Sequence, residues 1–102
     1  MPLDIRLYPG FAGQAGRLSA VRHELEALLR PVKGLRRFIL LETTEGLAIV
    51  TEGEDRAACQ ECGRRAEVWM RERLPGLEGY RPLTAVGEII AEANAGTASN
   101  LR

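Results

Sequence analysis

Along this chain the spacing of apolar side chains switches from a period of two to one of about 3.6 and back again, twice over. That succession constrains the fold more than any other feature. Leu3, Ile5 and Leu7 alternate with Asp4 and Arg6, which predicts a first strand over residues 3–8 with the aliphatic side chains toward a core. Pro9-Gly10 ends it. Over 17–30 the spacing is helical, with Leu18, Val21, Leu25, Leu28 and Leu29 on one stripe, and Pro31 and Gly34 close the helix. Strands at 35–43 and 47–52 flank a Thr44-Glu45-Gly46 turn and read as a hairpin. A second helix runs over 55–74, with Asp55 as N-cap and Pro75-Gly76 as terminator. A last strand spans 81–91, where Gly87 is a candidate bulge. Gly63 lies inside the second helix, where it costs roughly 1 kcal/mol against alanine, and so marks a close approach by a neighbour.

The result is an α+β domain over residues 1–92, an antiparallel sheet carrying two helices on one face, followed by a tail at 93–102 expected to be disordered. The hairpin adds a second constraint. Phe38 and Leu40 point to one face of the sheet, Ile39 and Leu41 to the other; Leu47 and Ile49 likewise oppose Ala48 and Val50. A sheet with water on its far side would alternate apolar and polar residues. Helices cover one face, and no third helical segment exists to cover the other. A second copy of the chain is the simplest cover, so a homodimer is expected.

Bulk properties narrow the function. In 102 residues, 14 acidic side chains balance 14 basic ones, and the signs are interspersed, so no field draws the chain to nucleic acid or an anionic membrane. The apolar runs are too short for a transmembrane span, and early charges interrupt any secretory h-region, which makes the cytoplasm the expected location. Cys59 and Cys62 form a C-x-x-C, but with no second ligand pair for zinc they read as buried structural thiols. No metal or other cofactor is implied.

The strand–helix–strand–strand–helix–strand order is the ferredoxin-like one. Within it the chain resembles the dimeric α/β-barrel superfamily, and more narrowly small bacterial proteins related to antibiotic-biosynthesis monooxygenases. The resemblance covers about 5–90. It rests on Tyr8-Pro9-Gly10, Gly34-Leu35-Arg36-Arg37-Phe38, Glu54-Asp55-Arg56-Ala57-Ala58, Trp69 and Gly87-Glu88-Ile89. It implies two sheets paired face to face across a dimer, and in each subunit a cleft between sheet and helices that holds a small ligand. Haem-degrading members carry an Asn on the first strand and a His on the second helix; this chain has neither. The loop from Gly10 to Arg17 is also similar to the phosphate loop of acylphosphatases, but the Asn those enzymes need on the second strand is absent, Phe38 standing near that position. RNA-binding domains of this topology stack bases on central-strand aromatics, which 47–52 lacks.

Trp69, Tyr8 and His23 are the candidate ligand contacts. For each there is a plainer role. A large aromatic on an amphipathic helix ordinarily anchors it to its sheet, a strand tyrosine can serve an interface, and His23 falls off the apolar stripe and acts as a base only if a cleft reaches it. The leading expectation is therefore a dimer that binds a small apolar or aromatic molecule without a convergent set of titratable groups. The alternative is a cofactor-independent monooxygenase acting on an aromatic substrate.

Overall fold

The computed structural model describes residues 1–94; the remainder of the expected tail, 95–102, lies outside the described residues. The elements run β1 (Pro2–Pro9), α1 (Ala15–Ser19), α2 (Arg22–Leu29), β2 (Leu35–Glu42), β3 (Gly46–Gly53), α3 (Arg56–Arg73) and β4 (Leu83–Glu88). The four strands form one open antiparallel sheet in the order β2-β3-β1-β4. This small α+β architecture is compatible with a ferredoxin-like fold. No helix among the described residues is long and apolar enough to cross a membrane.

Three local expectations are corrected. The helix expected over 17–30 is two helices, broken at Ala20 and Val21, where Val21 leaves helical geometry at φ −120°, ψ 20°. Leu18, Leu25 and Leu29 are buried, but the break leaves Leu28 on the outside at 41% exposure. The last strand ends at Glu88, and Ile90 beyond it stands in solvent. Gly87 pairs regularly with Leu3; the irregularity in the sheet falls instead between Leu35 and Arg37.

The largest correction concerns β1. Its register opposes Asp4 to Thr51, Arg6 to Ile49 and Tyr8 to Leu47, so these three polar side chains face the helices. Leu3, Ile5 and Leu7 face the other way, beside Ala48 and Val50, and through them beside Ile39 and Leu41. The alternation was legible, but its inward face carries the polar residues. The far side of the sheet is accordingly an aliphatic surface that no element covers among the described residues, with Leu7, Ile39, Leu41 and Leu83 each more than a third exposed.

α3 lies across β1 and β3. Asp55 caps it as expected, its carboxylate accepting from the Ala58 N–H at 2.8 Å. Its inner face buries Cys62, Ala66, Trp69 and Met70 against Tyr8 and Ile49, joined by Leu74 and Leu77 after the helix. The hairpin turn is held by Thr43, whose Oγ1 accepts from the Gly46 N–H at 3.0 Å. Gly46 is obligatory there, since a Cβ would stand 2.1 Å from the Tyr8 carbonyl oxygen.

Candidate functional site

α1 and α2 stand beside β2 and β3. Between them lies a cleft of about 480 Å³, within the range of roughly 300–1,000 Å³ usual for small-molecule sites. Leu18, Leu25 and Leu29 line the helical wall; Leu35, Phe38, Leu40 and Leu47 line the sheet wall. Ser19, Arg22, Glu26, Arg30 and Glu42 ring the mouth. Two of these mouth charges already have partners. Glu42 accepts from the backbone N–H groups of Gly13 (2.5 Å) and Gln14 (2.9 Å), which ties the loop before α1 to the end of β2. Arg30 faces Glu26 at 3.9 Å. The loop N–H groups that a phosphate would require are thus occupied by the chain's own carboxylate, and Arg17 is exposed.

Of the three residues singled out from sequence, Tyr8 and Trp69 share the core under α3 while His23 stands apart in solvent, and none lines this cleft. Trp69 is buried on the inner face of α3. Its Nε1–H donates to Glu24 Oε1 at 3.1 Å, and the Arg73 guanidinium lies 5.7 Å from its ring centre. Arg73 also donates to Glu24 at 2.7 Å, so one carboxylate joins α2 to α3. The hydrogen bonds from Arg73 and then Trp69 hold Glu24 below the usual glutamate range. His23 is exposed on α2 beside Glu24.

Tyr8 belongs to a different constellation. Its hydroxyl donates to Glu67 Oε1 at 2.8 Å, and the same oxygen accepts from Arg6 at 3.3 Å. Arg6 also donates to the buried Asp4 at 3.0 Å, and Arg71 pairs with the second oxygen of Glu67. Glu67 turns under α3, its side chain 14% exposed. Burial, reinforced by the Glu67 hydrogen bond and charge, pushes the Tyr8 hydroxyl well above its ordinary range. Tyr80 stacks nearby, edge to face with Phe11 at 5.0 Å, and donates to the Pro9 carbonyl at 2.8 Å. Neutral Tyr8 and fully paired charges make this a structural clamp between β1 and α3.

The Arg6 guanidinium also explains Gly63. A Cβ at that position would stand 2.8 Å from Arg6 Cζ and Nε, so the glycine expected to mark a close approach does so. Cys59 and Cys62 are buried and unbridged. Cys59 Sγ–H donates to the Pro2 carbonyl at 3.3 Å. Burial, with Cys59 alongside, pushes the Cys62 thiol up to about 11, and burial raises Cys59 too. Thiols held protonated are poor nucleophiles and poor metal ligands. Among the described residues no group of three His, Cys, Asp or Glu side chains is placed to hold a metal.

Sequence reasoning read the cleft leucines as core. The parity shared by Asp4, Arg6 and Tyr8 was the available signal for the polar clamp. No local pattern marked the cleft's lining; the family resemblance alone implied a cleft between sheet and helices, and the α1–α2 break beside it has neither glycine nor proline at residues 20–21. A scan of protein-family models finds no match to the chain, and no curated protein matches it. Among solved structures, Rv0793 from Mycobacterium tuberculosis is similar with a TM-score of 0.49 and 20% identity, over 92% of this chain and 100% of that chain.

Proposed function

We infer that the chain is a ferredoxin-like domain of the dimeric α/β-barrel type, and that each copy binds a small apolar or aromatic molecule in the cleft between α1–α2 and β2–β3. The cleft itself carries the reading: a cavity of about 480 Å³ walled by leucines and Phe38, with its charged groups confined to the mouth. Such a site gains affinity by removing apolar surface from water, roughly 25 cal/mol for each Å².

The aliphatic far face of the sheet supports the homodimer. Leu83, Leu7, Ala48 and Leu41 form one row across it, and Ala85, Ile5, Val50 and Ile39 the next. A patch this continuous is uncommon on a monomer. A two-fold contact would let the same rows cover each other. The sheet wall of the cleft at Phe38, Leu40 and Leu47 is on the opposite side of the sheet, and Leu41 is the one far-face residue that also lines the cleft.

The test is calorimetric titration with decan-1-ol and with 1-naphthol. Saturable binding of either, lost in Leu40→Trp, which fills the cleft, is the expected result. No binding of either probe would refute the reading. Oxygen uptake with a dihydroxynaphthalene would move the chain to the monooxygenase alternative.

A further inference from the structure

We propose that the natural ligand is an amphipathic acid: an apolar body in the cleft and an anionic head group paired with Arg22 at its mouth. This rests on the reading of the cleft as a binding site. The inference comes from the charge state of the mouth. Four charged side chains stand there, Arg22, Glu26, Arg30 and Glu42. Glu42 is engaged by the Gly13 and Gln14 N–H groups, and Glu26 by Arg30. Of the two cations at the mouth, Arg22 has no opposite charge within 4.0 Å among the described residues, and the groups it does bond are neutral.

Those partners also set its orientation. Arg22 Nη1 donates to the Ser19 carbonyl (3.2 Å) and to Ser19 Oγ (3.3 Å), which tethers the guanidinium back over the α1–α2 break. Its Nε and Nη2 make no hydrogen bond among the described residues. A guanidinium presents its N–H groups in a planar fork, and a carboxylate matches that fork with two parallel bonds. An apolar cleft with a half-tethered arginine at its rim therefore selects molecules with one anionic end. A neutral ligand of the same body would leave that fork to water, and a cationic one would be repelled by it.

Three probes with the same ten-carbon chain separate the possibilities: decanoate, decan-1-ol and decyltrimethylammonium, each titrated calorimetrically at pH 7.5 and low salt. Decanoate is expected to bind about tenfold more tightly than the alcohol, the size of one charge-assisted contact at a partly exposed site. The cation is expected to bind more weakly than either. Arg22→Gln should abolish the preference for the acid, Arg22→Lys should retain part of it, and Arg22→Glu should transfer it to the cation. Arg22 is exposed, so all three variants are expected to fold, checked by circular dichroism. Equal affinity for decanoate and the alcohol, or a preference that survives in Arg22→Gln, overturns the proposal while leaving the apolar cleft intact. Failure of all three probes to bind overturns the cleft reading and the proposal with it.

Discussion

Replacing a mid-helix glycine by alanine ordinarily stabilises a protein by about 1 kcal/mol, because alanine loses less backbone entropy. Gly63→Ala in α3 is expected to do the opposite. The new Cβ would lie 2.8 Å from Arg6 Cζ, where ordinary contact begins near 3.4 Å, so the guanidinium must withdraw by about 0.6 Å. Its bond to Glu67, already 3.3 Å, is then lost, and its 3.0 Å bond to Asp4 is weakened. Asp4 is 2% exposed, and among the described residues Arg6 is its one side-chain hydrogen-bond partner. Each charged hydrogen bond of this kind contributes about 1.5–3 kcal/mol, and full removal of one partner of a buried pair costs about 3–5. A loss of roughly 3 kcal/mol against the propensity gain leaves Gly63→Ala about 2 kcal/mol less stable. Urea unfolding at fixed protein concentration measures it. The decisive control is the double-mutant cycle with Arg6→Ala. In that background the obstruction is gone, and Gly63→Ala should stabilise by about 1 kcal/mol. Stabilisation by Gly63→Ala in the native background, or an unchanged penalty in the Arg6→Ala background, would refute the account of the clamp.

Three further outcomes follow from the same geometry. A charge on the aliphatic sheet face, Ile39→Glu or Leu41→Lys, should convert a two-chain species into monomer by sedimentation and lower the unfolding midpoint, whereas Leu28→Glu on the outer side of α2 should leave the mass unchanged. Tyr8 favours its neutral form in the fold, so its contribution is complete below the ordinary tyrosine pKa near 10 and is eroded as pH rises from there toward its raised value; Tyr8→Phe should flatten the alkaline loss of stability and cost about 1 kcal/mol at neutral pH. Cys59 and Cys62 should resist iodoacetamide in the folded protein at pH 8 and both react in urea; rapid native alkylation of Cys62 would contradict its burial.

The element order was legible because each period is fixed by local geometry, and the cap at Asp55 has a local cause. The two-sided apolar hairpin correctly signalled an aliphatic far face for β2 and β3, on which Ile39 and Leu41 stand uncovered. Alternation in β1 identified two faces without saying which would meet the helices; aliphatics at Leu3, Ile5 and Leu7 suggested the core, yet the helices take Asp4, Arg6 and Tyr8 because α3 supplies Glu67 and the space at Gly63. Trp69, Tyr8 and His23 stood out by residue type. Residue type does not report that Trp69 is tied to Glu24, that Tyr8 is tied to Glu67, or that His23 faces water. The lining of the cleft depends on how α1 and α2 sit against β2 and β3, a tertiary property with no local pattern, so only the family resemblance pointed to a space between sheet and helices.

The central claim, that the cleft between α1–α2 and β2–β3 is the ligand site, is tested most directly by methyl NMR of leucine-labelled protein titrated with decan-1-ol. The account predicts saturable shifts confined to the cleft leucines Leu18, Leu25, Leu29, Leu35, Leu40, Leu41 and Leu47, with Leu7 and Leu83 on the opposite sheet face unmoved. Shifts centred on Leu7 and Leu83, or none at saturating probe, would contradict it.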